Sequence, residues 1–272
     1  PLHPLMALPL ASVDEDVLKI WFDREALAGA HQAARALMMF RGFLRWCSAR
    51  PEYRRLTDRD AGRAPAILDS LPPNTRRVDK LMNEQIAGWW TGVERLSNRV
   101  HSAYLRALLL TGARREEMAT LEWRNINWQW KTLTIADKAE LTRTIPLTPY
   151  MAEMLDSLPR AGKFVFHSTG KDGHISDARG SMAKVLLECG VSHLTFHGLR
   201  RTFTQVARRI VPAGVPAQIS GHKQSAVAEG YFILTLDELR PFANQIESQF
   251  LVLAGVDFVP KPEMGRPRLS VA

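Results

Sequence analysis

Strand-forming residues are confined to one short patch of this chain, and that limits the possible folds more than any other feature of the sequence. Thr132-Leu133-Thr134-Ile135 and Thr142 to Leu147 are two β-branched runs separated by the polar ADKAEL, the pattern of a hairpin with a loop of about six residues. Phe164-Val165-Phe166 is expected to add a third short strand. Elsewhere the apolar residues recur near a 3.6-residue period. Residues 16–50 show this through Val17, Ile20, Trp21, Ala34, Leu37, Met38, Phe40 and Leu44, and residues 99–110, 114–121, 178–189, 198–210 and 215–220 follow the same rule. The predicted class is mainly α with a small antiparallel β-sheet.

At 272 residues the chain exceeds one average domain. Residues 51–74 interrupt the periodicity with Pro65, Pro72 and Pro73 and carry Arg54, Arg55, Arg59 and Arg63. They read as a linker, apart from a short helix at Ala66 to Leu71. The pattern resumes at Arg76 and runs to about residue 253. A boundary near residue 73 therefore gives a small helical domain with its linker over 1–73 and a larger domain with a C-terminal tail over 74–272. The first domain is expected to be truncated, because the chain begins at Pro1 rather than Met.

Composition removes several classes. Cys47 and Cys189 are the only cysteines, so neither a disulfide framework nor a thiolate zinc site is expected. Apolar runs are too short to cross a bilayer, and the apolar start lacks the basic residues of a secretory signal. A cytoplasmic, reducing setting is the expectation. Lysine and arginine outnumber aspartate and glutamate 36 to 28, and 27 of the 36 are arginine. The arginine fork grips phosphate through two parallel hydrogen bonds, so the excess points to nucleic acid or another phosphate-bearing partner, or else to the codon preference of a GC-rich genome.

Three clusters carry possible chemistry. In TGARREEM, residues 111–118, Gly112 permits a sharp turn and Arg114 begins a helix, where exposed N–H groups favour an anion. Glu117, three residues on, can orient that guanidinium, although a solvated ion pair has the same spacing. In HGLRRTF, residues 197–203, His197 and Arg200 share the start of an apolar-striped helix. They could hold an anion or move a proton, or His197 could be an ordinary surface histidine. His193 and His197 are four apart, but no third ligand is near, and no metal site is expected. In ISGHKQSAVAEGYF, residues 219–232, a short helix ends at Gly221, His222 follows, and Tyr231 comes nine residues later. The other tyrosines, 53, 104 and 150, have ordinary explanations in a basic linker, an apolar helix and a helix start.

TGxRxxE, a basic hairpin closing on Pro-Leu, HxLRxT, and Gly-His with a tyrosine nine residues on occur in that order. Together they resemble the tyrosine recombinase (phage integrase) family over about residues 76–235, and the helix before residue 50 resembles the end of that family's core-binding domain. The resemblance implies a site-specific DNA recombinase (integrase) that cleaves and rejoins strands through a 3′-phosphotyrosyl intermediate, with no metal, ATP or other cofactor. Tyr231 matches the nucleophile, Arg114 and Arg200 the phosphate clamp, His222 a further donor, and His197 the histidine that positions or deprotonates the nucleophile. Lys138 matches the hairpin lysine that protonates the leaving 5′ oxygen, with Lys131 the second choice, and Glu117 matches the acid that supports Arg114.

The implied partner is double-stranded DNA, with Arg54, Arg55, Arg59, Arg63, Arg76 and Arg77 along its backbone. A homotetramer on paired sites is implied as well. The apolar residues of 242–253 are expected to dock on a neighbouring protomer, with packing on their own domain as the alternative. Two other functions stay open: a type IB topoisomerase-like nicking and resealing enzyme, and a catalytically silent DNA-binding regulator. Competent residues at every matched position speak against the second.

Overall fold

The computed structural model describes residues 1–73, 78–136, 142–222 and 233–260. The chain forms two compact units, Pro1–Arg77 and Val78–Ala272.

The first unit is built on one long helix, α1 (Glu15–Ser48), capped by the Asp14 carboxylate, which accepts from Val17 N at 2.9 Å. Leu18, Trp21, Phe22, Leu37 and Leu44 along it form the core with Leu5 and Val13. The basic stretch after α1 differs from expectation. The short helix expected near 66–71 is present at Pro65–Asp69, but the residues before it, read as linker, form helical turns at Pro51–Arg54 and Ala61–Arg63. Ala61, Ala64 and Ile67 bury themselves in the same core, and Arg41 donates to the Gly62 carbonyl. Pro51 and Pro65 each stand at the first position of a turn, where proline is compatible with helix, which is why these breakers begin turns rather than abolish them. Arg54, Arg55, Arg59 and Arg63 remain exposed on this unit.

In the second unit, α2 (Asn83–Glu94) and α3 (Arg99–Thr111) are followed by the one-turn α4 (Arg115–Ala119). A three-stranded antiparallel sheet comes next in the order β1 (Ile126–Asn127), β2 (Thr132–Ala136), β3 (Thr142–Pro146). Leu133 pairs with Ile145, and Leu133, Ile135 and Ile145 turn one face of the sheet into the core. The hairpin matches the expected runs, but the third strand is Ile126–Asn127, not 164–166. Phe164 makes a single bridge to Glu122, and the next two residues, Val165 and Phe166, are used as fully buried core.

Helices α5 (Pro149–Asp156), α6 (Arg179–Cys189), α7 (Phe196–Ala207), α8 (Val215–Ser220) and α9 (Leu236–Ala254) complete the unit. Two of these placements determine the site. Gly112 ends α3 with φ +60°, and a Cβ there would lie 2.5 Å from the Phe203 ring, so the end of α3 packs directly on α7. Helix α9 packs in cis. Leu239, Ile246, Phe250 and Leu251 are buried in the same core, and the buried Glu247 carboxylate accepts from Tyr150 N at 2.8 Å, Met151 N at 3.0 Å and the Thr148 hydroxyl. Within 242–253, Ile246, Phe250 and Leu251 pack on their own unit, whereas Val252 is exposed. Among the described residues no helix is long and apolar enough to cross a membrane.

Candidate active site

Three chain segments far apart in sequence meet where α3 ends, α7 begins and α8 ends. Arg114 occupies the position just before α4, with its own N–H donating to Glu117 Oε2 at 3.1 Å. Its side chain ion-pairs with the other Glu117 oxygen and reaches Gly221 O at 3.1 Å. The sequence therefore places these two residues within reach, but only the arginine is open to solvent: Glu117 is 4% exposed.

Helix α7 is capped by Thr195, whose hydroxyl accepts from Gly198 N at 3.0 Å. One turn in, Arg200 is 2% exposed and spans the gap between the other two segments. It donates to Gly112 O at 2.7 Å, to Ser220 O, and to His222 Nε2 at 3.2 Å. Because a guanidinium only donates, Nε2 is an acceptor and the ring is neutral, with its proton on Nδ1 facing Ser220 Oγ at 2.9 Å. Burial first, then the charges of Arg200 and Arg114, hold His222 down to about 4. His197 is also lowered, by burial and then by Arg201 and Arg200, while Asp79 opposes the shift. At neutral pH the cluster is therefore two guanidiniums and two neutral imidazoles.

Arg114, Glu117, His197, Arg200 and His222 are thus brought together. Tyr231, Lys138, Arg76 and Arg77 lie outside the described residues. Two clefts open on the cluster, each of about 270 Å³. One is lined by Arg114, Arg115, Glu117, Phe196, His197 and Arg200. The other is lined by Lys80, His197, Arg200, Arg201, Arg208 and His222. A larger apolar groove of about 650 Å³ beside α6 includes none of the cluster. The arrangement suits an anion held by several fixed donors, which stabilise charge without reorganising. Among the described residues no group of three or more His, Cys, Asp or Glu could hold a metal.

The sequence passes over Arg143 and Asp79. Arg143 sits on β3 and donates to Glu117 Oε2 at 2.7 Å and to Ile219 O at 3.0 Å. It also lies against Gly221, where φ is +71° and a Cβ would approach its Nη1 to 2.6 Å. A lone arginine on a strand gives no sign of such a role; only the inward face of β3 does. Asp79 precedes α2 and fixes the start of α7. Its carboxylate accepts from Thr195 N at 2.9 Å and Thr195 Oγ1 at 2.7 Å and pairs with Arg201. A separation of 116 residues hides that contact from any local pattern.

Comparison with known proteins places these observations in a family. The sequence profile of the phage integrase core-binding domain matches residues 1–69, and that of the phage integrase family matches residues 78–235. Prophage integrase IntF of Escherichia coli (strain K12) is 36% identical over 266 residues, covering 94% of this chain and 57% of that protein. The chain thus spans little more than half the length of this relative. Among solved structures, the Tn1549 transposon integrase (aa 82–397) in complex with circular intermediate DNA superposes with a TM-score of 0.64 at 15% identity, covering 85% of each chain. A lambda integrase(75–356) dimer bound to a COC′ core site gives 0.63 at 16% identity, covering 84% of this chain and 85% of that one. XerH site-specific recombinase bound to difH gives 0.57 at 14% identity, covering 89% of this chain and 70% of that one. At such identities the structural likeness is one of fold.

Proposed function

The chain belongs to the phage integrase family of tyrosine recombinases, and on that premise we propose that it is a site-specific DNA recombinase acting through a covalent tyrosyl–DNA intermediate. One observation carries this: Arg200 and Arg114, from segments far apart in sequence, are both anchored on the 219–222 turn, beside His222 and with His197 lining the same clefts.

In the proposed reaction Arg114 and Arg200 hold the non-bridging oxygens of the scissile phosphate. Tyr231 attacks phosphorus, and His197, neutral and next to the guanidiniums, takes the phenolic proton. The bond from phosphorus to the 5′ oxygen breaks, and Lys138 gives that oxygen its proton. The phosphotyrosyl bond conserves the energy of the bond that broke, so a 5′ hydroxyl can reverse the step and ligate. His222 contributes a donor by changing tautomer: Ser220 Oγ then donates to Nδ1, Nε2–H turns to the phosphate, and Arg200 Nε is released to the same oxygens. Loss of one preorganised donor such as Arg114 costs about 3 kcal/mol, or 10²- to 10³-fold in rate.

Three of the four tyrosines are poor candidates for the nucleophile. Tyr104 donates its hydroxyl to Arg115 O at 2.8 Å and is raised in pKa by burial. Tyr150 accepts from Arg106 at 2.6 Å and is raised likewise. Tyr53 stacks on Trp46 in the other unit. The proposed partner is double-stranded DNA, with Arg54, Arg55, Arg59, Arg63, Arg76 and Arg77 on its backbone. The proposed assembly is a tetramer on paired sites, with viral or mobile-element integration in the bacterial cytoplasm as the setting. The test is incubation with genomic fragments carrying nicks, followed by denaturing electrophoresis and sequencing of any DNA bound to protein. A covalent adduct at a recurrent sequence, and exchange between two copies of it, is the expected result. Nicking and resealing without exchange would assign the topoisomerase-like activity, and no adduct would remove both.

A further inference from the structure

The second cleft beside Arg200 contains cations that the proposed reaction does not use. Lys80 comes from the segment leading into α2, and Arg201 and Arg208 come from α7 and its C-terminal end. None of the residues lining the cleft is acidic, and Thr204 and Gln205 supply its remaining polar groups. Arg201 is already positioned: its Nε donates to Asp79 O at 3.0 Å and its Nη2 pairs with the Asp79 carboxylate. The same segment is pinned a second time by Leu81 N, which donates to Thr202 Oγ1 at 2.9 Å. Lys80, between these two anchors, is thereby held at the cleft mouth, although its side chain is exposed.

Gathering like charges in one concavity costs stability unless an anion fills it, so such clefts select for anionic ligands. A helix dipole would account for a cation at the end of α7, where Arg208 stands, but not for Lys80 on another element. Arg200 and Arg208 lie eight residues apart, about 12 Å along the helix. Phosphates along one strand advance by only about 3.4 Å each. A strand that runs along α7 from a phosphate on Arg200 would bring a neighbouring phosphate to this cleft.

We infer that Lys80, Arg201 and Arg208 form a seat for a second DNA backbone phosphate, on the strand that carries the scissile one. This rests on the proposed function, which places the scissile phosphate at Arg200. The seat orders the strand on both sides of the reacting bond, and the Asp79–Thr195 contacts tie it rigidly to the helix that carries His197 and Arg200.

The test is the salt dependence of binding to a duplex of random sequence, measured by fluorescence anisotropy on the full chain. Each phosphate contact contributes about 0.9 to the slope of log affinity against log salt. Lys80→Gln/Arg208→Gln is expected to lower that slope by about this amount and to weaken binding several-fold at low salt. Arg124→Gln/Lys163→Gln removes two exposed charges elsewhere in the unit and is expected to leave the slope unchanged. An unchanged slope in the first variant, or an equal loss in the second, overturns the seat. The adduct assay reports the other reading separately. An adduct with an unchanged slope keeps the reaction and removes the seat, whereas a lowered slope with no adduct does the opposite.

Discussion

Arg143 and Glu117 form a buried pair, with Arg143 Nη2 donating to Glu117 Oε2 at 2.7 Å, and that carboxylate is shared with Arg114. Strand β3, helix α4 and the 219–222 turn are thereby joined at one point. Burial pushes Glu117 up, but hydrogen bonds from Arg143 and Arg114 outweigh it and hold the acid below its ordinary range.

Removing one member of a buried pair costs about 3–5 kcal/mol. Glu117→Gln is expected to lower the thermal midpoint of the second unit by about 6 °C or more. It should also slow strand cleavage by more than about tenfold, since Arg114 loses its support. Because the folded pKa is depressed, the pair's stabilisation is present above the ordinary carboxylate pKa and is lost as pH falls through the folded value. Calorimetry from neutral pH downward should show a shallower acid loss in Glu117→Gln than in the parent.

His222 gives a different pH signature. Its folded pKa is lowered from 6.5 to about 4, by burial first and then by Arg200. The unfolded chain therefore binds the proton first, so the stability this neutral ring contributes is complete above 6.5 and is lost as pH falls toward 4. A nitrogen-15 NMR titration should find a neutral ring with its proton on Nδ1 at pH 6. A protonated ring at that pH would contradict the acceptor role of Nε2.

Gly198 is a packing constraint on the same site. A Cβ there would lie 2.7 Å from Leu194 Cδ1, 2.8 Å from Asp79 Oδ2 and 2.9 Å from Asp79 O. Gly198→Ala is expected to push Asp79 off Thr195 and to cost about 1–3 kcal/mol, read as a lower denaturant midpoint. An unchanged midpoint would show that the lead-in segment is not packed on α7.

Helix α9 separates cis from trans packing. Phe250 is fully buried in its own unit, so Phe250→Ala is expected to cost about 3–5 kcal/mol. The melting temperature of the parent chain should be independent of protein concentration if α9 packs in cis. A midpoint that rises with concentration would restore docking between protomers.

What the sequence reveals follows the range of the interactions. The hairpin and the helices are legible because their periodicities, 2 and 3.6, are local. So is the Arg114–Glu117 pair, whose members share one turn. The third strand is not legible, because Val165 and Phe166 are β-formers used as buried core, while Ile126–Asn127 is too short to show alternation. The folding of the stretch before Pro65 is hidden by its polar residues, and only the partner surface of α1 shows where Ala61 and Ile67 go. Motif order located Arg200 and His222, but their mutual contact, and those of Arg143 and Asp79, depend on tertiary packing.

The central claim is that Tyr231 becomes covalently attached to DNA. Protein recovered from a nicked duplex adduct can be digested and the modified peptide identified by mass spectrometry. The expected result is a nucleotide on Tyr231, with no adduct from Tyr231→Phe. A nucleotide on Tyr53, Tyr104 or Tyr150, or an adduct that survives Tyr231→Phe, would contradict the assignment.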